Sequence, residues 1–289
     1  MKPILTRVCL VLLSLLSACS FRSCDDPVTT SKPMKNPAPD AIVKPGVAMT
    51  ATHQRRVVYV LLDLSASYLD RHDPALLERI VRQTLSIVKS LGPADEFLFA
   101  FISDRFDPRN NVKRQESMPP VAAELLQPTS QPQEWIQRQK GLKFVWRQVV
   151  EKQQAMEQWF NQPITERSSV TDLYGALEYC AERLSREHDC EKHLVVFTDF
   201  EHDFKGVKSS DPPKLQLDFR EARVSALFAP WEDHAIWKAR RQAWDAWFRK
   251  QGASDFSMYD VRDSERQVVL KSSAVPKTLP SPFGQAVQK

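Results

Sequence analysis

The chain has 289 residues and a hydrophobic fraction of 42%, which is enough for one large domain with a sizeable core. Its formal net charge is only +4, so the sequence gives no electrostatic reason to expect nucleic-acid binding. Five cysteines are too few for a disulfide scaffold. Cys180 and Cys190 are close in sequence, but we do not expect them to pair, because Cys180 lies on the apolar stripe of a predicted helix.

Residues 1–19 have the features of an export signal. Lys2 and Arg7 accompany an apolar run at residues 8–16, which is too short to span a bilayer. The run ends in Leu-Ser-Ala-Cys at Cys19, which resembles the lipobox of bacterial lipoproteins. That resemblance implies that Cys19 carries a lipid anchor, and Ser20 after it favours the outer membrane, with the protein facing the periplasm. A plain secretory signal is the alternative.

Residues 20–55 are expected to form a disordered tether. They show no hydrophobic period, and prolines interrupt any helix or strand: Pro27, Pro33, Pro37, Pro39 and Pro45. A flexible coil of this length reaches on the order of 30 Å. The tether would therefore hold a folded domain clear of the lipid surface.

The first predicted elements are a buried strand at residues 56–63 and a helix that begins at Asp73 and Pro74 and ends at Gly92. A second apolar strand at 97–102 and a short edge strand at 112–116 follow. Residues 119–163 are predicted to be a helical elaboration, with one long helix at 133–160 that has an aromatic face. That face could pack on the domain or bind a partner.

The second half of the domain repeats the alternation of helix and strand. After the predicted helix that follows Thr171, strands are expected at 193–199, 223–228 and 256–261. A Trp-rich helix at 234–251 is expected to pack on the core rather than on a membrane. The pattern predicts an α/β fold: a doubly wound, mostly parallel sheet with helices on both faces at 56–263. Residues 264–289 would be a loose tail.

Polar side chains follow directly after the first buried strand. Asp63, Ser65 and Ser67 occupy alternate positions, and such a loop at the carboxyl end of a strand is where open α/β sheets bind ligands. Their oxygen atoms suit Mg²⁺, Mn²⁺ or Ca²⁺. Taken alone, this short motif is equally typical of a strand-end turn.

Together with two distant residues, this motif resembles the metal-ion-dependent adhesion site of the von Willebrand factor A, or integrin I-type, family. The family combines Asp-x-Ser-x-Ser with a distant Thr and a distant Asp, which correspond here to Thr171 and Asp199. The resemblance implies a Rossmann-like sheet of order 3-2-1-4-5-6. It also implies that Asp63, Ser65, Ser67, Thr171 and Asp199 bind Mg²⁺, or Mn²⁺ or Ca²⁺, directly or through water.

By the same resemblance, an acidic side chain of an unidentified protein partner would complete the metal shell, so the chain would be a non-enzymatic binding module of the bacterial envelope. One departure is Phe200, where many relatives have a Gly-rich turn. Its ring could narrow the crevice, and Glu201 could add a ligand.

Two other functions stay open at this point. One is a metal-assisted hydrolase, which Ser65 disfavours because a haloacid-dehalogenase-like phosphatase has Asp at that position. The other is a structural subunit of an envelope complex with a degenerate metal site.

Overall fold

The computed structural model describes residues 54–69, 75–228, 234–260 and 277–279. The predicted export signal, Cys19 and almost all of the tether lie outside the described residues, as do Asp73 and Pro74. Among the helices described, none is long and apolar enough to cross a membrane.

Strands and helices alternate along the described chain. The strands are β1 (Arg55–Asp63), β2 (Glu96–Ile102), β3 (Val112–Ser117), β4 (Cys190–Phe197), β5 (His202–Phe204), β6 (Val207–Ser209), β7 (Ala222–Phe228) and β8 (Asp255–Asp260). The helices are α1 (Ala66–Leu69), α2 (Leu76–Ser90), α3 (Pro108–Asn111), α4 (Ala123–Leu126), α5 (Pro132–Phe160), α6 (Leu173–Ser185) and α7 (His234–Lys250).

Six strands form the central sheet, in the order β3-β2-β1-β4-β7-β8. Only β3 is antiparallel to its neighbour, and β1 lies in the middle between β2 and β4. Every residue of β1 after Arg55 is buried, as expected of a strand covered on both faces. The predicted doubly wound, mostly parallel α/β fold is therefore confirmed.

Alternate residues of the strands supply two cores, one on each face of the sheet. One core contains Val57, Tyr59 and Leu61 of β1 and is covered by α6 and α7. The other contains Val58, Val60 and Leu62 and is covered by α2 and α5. In α7, four aromatic side chains are buried in the first core: Trp237, Trp244, Trp247 and Phe248. The prediction that this helix packs on the domain is confirmed. Cys180 and Cys190 are both buried free thiols.

The long helix α5 packs on the sheet through its C-terminal half. Val149, Met156 and Phe160 are buried in the core beneath α2, and the Phe160 ring lies edge-on to Phe99 with the ring centroids 4.9 Å apart. The N-terminal half of the helix contacts α4 and residues 277–279. The aromatic face that the sequence predicts for α5 thus packs within the domain.

A small hairpin that the sequence pattern does not predict lies between β4 and β7. Its strands β5 and β6 are three residues each and pair antiparallel, with Phe204 opposite Val207. The two turn residues, Lys205 and Gly206, both have positive φ (51° and 77°), as a type I′ turn requires.

Replacing Phe160 by Ala should test the packing of α5. We expect the variant to lose about 3–5 kcal/mol of unfolding free energy, because a buried ring leaves a cavity between helix and sheet. Phe144→Ala in the same helix is the matched control, since that ring is 55% exposed, and we expect a change within about 0.5 kcal/mol. Urea denaturation measures both. Equal losses in the two variants would contradict the described docking.

Candidate metal centre

Two carboxylates meet at one edge of the sheet. Asp63 is the last residue of β1, and Asp199 follows two residues after Phe197, the last residue of β4. The two strands are parallel neighbours, with Leu62 paired to Phe197, so their carboxyl ends lie side by side. Asp63 is fully buried, and Asp199 is 2% exposed. This is the edge at which open α/β sheets bind ligands.

The loop after β1 turns its hydroxyls toward Asp63. The Ser65 amide donates to Asp63 Oδ1 at 2.8 Å, and the Ser67 hydroxyl donates to Ser65 Oγ at 3.0 Å. A backbone bridge between Ser65 and Ser168 fixes the loop against the segment that leads to Thr171. The alternate spacing of Asp63, Ser65 and Ser67 thus gathers their oxygens on one side of the loop.

Two threonines from other parts of the chain also donate to Asp63. The Thr171 hydroxyl lies 3.5 Å from Asp63 Oδ1, and the Thr198 hydroxyl donates to Asp63 Oδ2 at 2.8 Å. Thr171 is held in place by the β5–β6 hairpin, because its amide and carbonyl pair with those of Asp203. Distant chain segments therefore converge on one carboxylate.

Asp199 contributes a polar atom with no partner. Its Oδ1 accepts from the Glu201 amide at 2.9 Å, but its Oδ2 is buried without a hydrogen-bond partner among the described residues. The Ser67 hydroxyl lies near enough to this carboxyl to lower its pKa. The five predicted site residues therefore lie close together at this edge of the sheet.

This buried environment disfavours the ionised form of both carboxylates relative to the protonated form. Burial, together with the nearby charge of Asp199, raises the pKa of Asp63 to about 7. Burial likewise raises the pKa of Asp199 to about 6, despite the Glu201 amide and Arg240, which act to lower it. Burying a like-charged pair is costly unless a cation compensates it.

The donor set fits a hard divalent cation. It offers two carboxylates and three hydroxyls at one point, and the unpartnered Asp199 Oδ2 is an acceptor that a cation would satisfy. Among the described residues, no group of three or more His, Cys, Asp or Glu side chains is arranged to hold a metal ion. A site here would therefore depend on its hydroxyls, as the resemblance implies.

The expectation that Phe200 could narrow the crevice is wrong. Its backbone is left-handed, with φ of 60°, and its ring is fully buried against Trp244 with the ring centroids 4.6 Å apart. The ring thus belongs to the core beneath α7. Glu201 lies 3.8 Å from the Arg240 guanidinium, which also donates to the Asp199 carbonyl at 2.7 Å.

Three residues that support the site were not predicted from the sequence. Thr198 binds Asp63, Ser168 holds the Ser65 loop, and Arg240 anchors the main chain at Asp199. For Thr198 a signal existed, because a hydroxyl beside Asp199 at a buried strand end needs a hydrogen-bond partner. Asp172 caps α6 by accepting from the Gly175 amide at 3.1 Å, so its charge stabilises the start of that helix.

The raised pKa values predict how stability depends on pH when a chelator is present. The unfolded chain loses both protons near pH 4, whereas the folded protein keeps them to about pH 6 and 7. The stabilisation is therefore complete below pH 4 and lost as the pH rises to about 7, at about 1.4 kcal/mol per pKa unit. Asp63→Asn should flatten this fall, and Asp189→Asn, an exposed control, should not. Urea titrations across this range measure it, and an equal fall in all three proteins would contradict the assignment.

Comparisons with known proteins concern the fold. No protein-family model matches this chain, and no curated protein matches it. Among solved structures, mussel byssus proximal thread matrix protein 1 with a zinc-occupied MIDAS motif is similar at 10% identity and a TM-score of 0.39, with 74% of this chain and 43% of that chain covered. The conserved hypothetical protein BatB from Bacteroides thetaiotaomicron is similar at 12% identity and a TM-score of 0.36, with 71% and 90% covered. The ArnB paralog VWA2 from Sulfolobus acidocaldarius has 10% identity and a TM-score of 0.40, with 72% and 42% covered.

The chain spans less than half the length of the mussel protein. The strand order of the sheet is the one that the resemblance implied. The five motif residues lie together at the edge formed by the carboxyl ends of the central strands β1 and β4. The described domain thus has the doubly wound, mostly parallel sheet and the gathering of five residues that the resemblance to the von Willebrand factor A family implied.

Proposed function

We propose that this chain is a metal-dependent protein-binding module of the bacterial cell envelope. In this proposal, Asp63, Ser65, Ser67, Thr171 and Asp199 hold one divalent cation, with Mg²⁺ favoured and Mn²⁺ or Ca²⁺ as alternatives. An acidic side chain of a partner protein completes its coordination. The lipidated Cys19 and the tether at 20–55 hold the domain near the outer membrane, facing the periplasm.

The observation that carries this proposal is the uncompensated pair of buried carboxylates. Asp199 Oδ2 has no hydrogen-bond partner among the described residues, and burial raises the pKa of both Asp63 and Asp199. When bound, a divalent cation supplies positive charge that both carboxylates can share. Since the remaining ligands are neutral hydroxyls, part of that charge stays available to an anionic group of a partner.

The site residues themselves favour binding over catalysis. Within the described part of the chain, no His or Lys side chain hydrogen-bonds to the hydroxyls of Ser65, Ser67 or Thr171, so none of them has a base of that kind to activate it as a nucleophile. The hydroxyls instead donate to one another and to Asp63. Their role in this proposal is to orient oxygen ligands.

The proposal predicts chelator-sensitive capture of a partner. Immobilised wild-type chain should retain an envelope protein in the presence of Mg²⁺ and release it with EDTA. Thr171→Ala removes one hydroxyl ligand and should reduce the captured amount by roughly tenfold or more, the scale seen when supporting groups of a metal site are lost. Quantitative mass spectrometry of the eluates measures the effect.

Thr165→Ala is the matched control, because Thr165 lies six residues earlier and is exposed. It should capture as much as the wild type. All three proteins should show a single cooperative thermal transition in EDTA, which separates loss of binding from loss of fold. If EDTA and Thr171→Ala both leave capture unchanged, the proposed function is wrong.

A further inference from the structure

The outward face of α5 carries apolar and basic side chains in alternation. Its exposed residues recur every three or four positions, as on one side of a helix. We define this outer face by six exposed residues: Ile136, Lys140, Lys143, Phe144, Arg147 and Val150. It extends about 21 Å along the helix axis at 1.5 Å per residue.

The apolar members of the outer face are unusually exposed for their type. Ile136 is 46% exposed, Phe144 is 55% exposed and Val150 is 43% exposed. They account for half of the large exposed hydrophobic side chains of the described chain; the others are Val207, Leu215 and Ile236. Three such residues on one face of a single helix concentrate apolar exposure there, whereas the other three are scattered over the domain.

The charge of this segment has a single sign. From Trp135 to Val150 the sequence contains four basic residues and no acidic one. Arg138 is paired with Glu134, but Lys140, Lys143 and Arg147 form no ion pair with any described residue. Lys277, which is not part of α5, places a further cation beside this helix, with its amino group 5.2 Å from the centroid of the Trp146 ring.

We propose that the outer face of α5 docks on an anionic phospholipid surface. Interfacial helices combine a stripe of large apolar side chains with Lys and Arg, whose aliphatic stems lie in the interface while their charges reach phosphate groups. The outer face has this composition, and the net positive charge of Lys140, Lys143 and Arg147 is complementary to an anionic headgroup layer.

This inference does not depend on the metal site. None of the six residues lies in the loops that carry Asp63, Thr171 or Asp199. An N-terminal lipid anchor followed by a flexible tether leaves the orientation of the domain free, so a second contact through α5 would fix that orientation.

Vesicle co-sedimentation of the full chain tests the proposal. The quantity measured is the increase in bound protein when phosphatidylglycerol is added to phosphatidylcholine vesicles. That increase compares anionic with neutral vesicles, so apolar insertion of the N-terminal segment contributes equally to both, and the charges of Lys2 and Arg7 are the same in the wild type and in every variant. In the triple variant Lys140→Gln, Lys143→Gln, Phe144→Ser, this increase in bound protein should be smaller by about tenfold or more.

A matched control lies on the β5–β6 hairpin, which also exposes two lysines and one apolar residue. The variant Lys205→Gln, Lys208→Gln, Val207→Ser should keep the wild-type increase. A second readout follows acetylation of lysines in the wild-type chain on the same vesicles. Lys140 and Lys143 should become several-fold less reactive on anionic vesicles, and Lys205 and Lys208 should not change.

Two results would overturn the proposal. One is an equal increase on anionic vesicles for the wild type and the α5 triple variant. The other is protection of Lys140 and Lys143 by an acidic envelope protein without any protection by vesicles, which would assign the face to a protein partner. Thermal melts of both triple variants should match the wild type, because all substituted residues are exposed.

Discussion

The burial of Asp63 and Asp199 side by side is the constraint on which the rest of this site depends. Because β1 and β4 are parallel neighbours, the two carboxylates lie side by side at the same edge of the sheet. The described surroundings supply hydroxyl and amide donors but leave Asp199 Oδ2 without one. An arrangement that is unfavourable for two anions alone is favourable around a cation.

The surrounding fold holds this arrangement in place from three directions. The Ser65–Ser168 bridge fixes the first loop, and the pairing of Thr171 with Asp203 fixes the second. The third loop is anchored by the buried ring of Phe200 on one side and by the Arg240 guanidinium of α7 on the other. A left-handed Phe200 is strained, and burial of its ring against Trp244 offsets that cost.

Much of this architecture could be predicted from the sequence, because apolar runs that end on Asp63 and Asp199 specify buried parallel strands and place both residues at one edge. The β5–β6 hairpin could not, since strands of three residues are too short to show alternation. The direction of the Phe200 ring could not be predicted either, because the positive φ of Phe200 itself decides whether the ring enters the crevice or the core. The sequence indicates that the buried Thr198 hydroxyl needs a hydrogen-bond partner, but local pattern does not reveal that this partner is Asp63, 135 positions away.

The most direct test of a metal centre is calorimetric titration of Mg²⁺ or Mn²⁺ into the chain in buffers of different ionisation enthalpy near pH 6.5. We expect one ion to bind per chain and protons to be released. Burial keeps a fraction of the Asp63 and Asp199 carboxyls protonated until the cation binds. Proton release should largely disappear in Asp63→Asn, and affinity should fall. Absence of saturable binding, or binding with unchanged affinity in Asp63→Asn, would contradict the account.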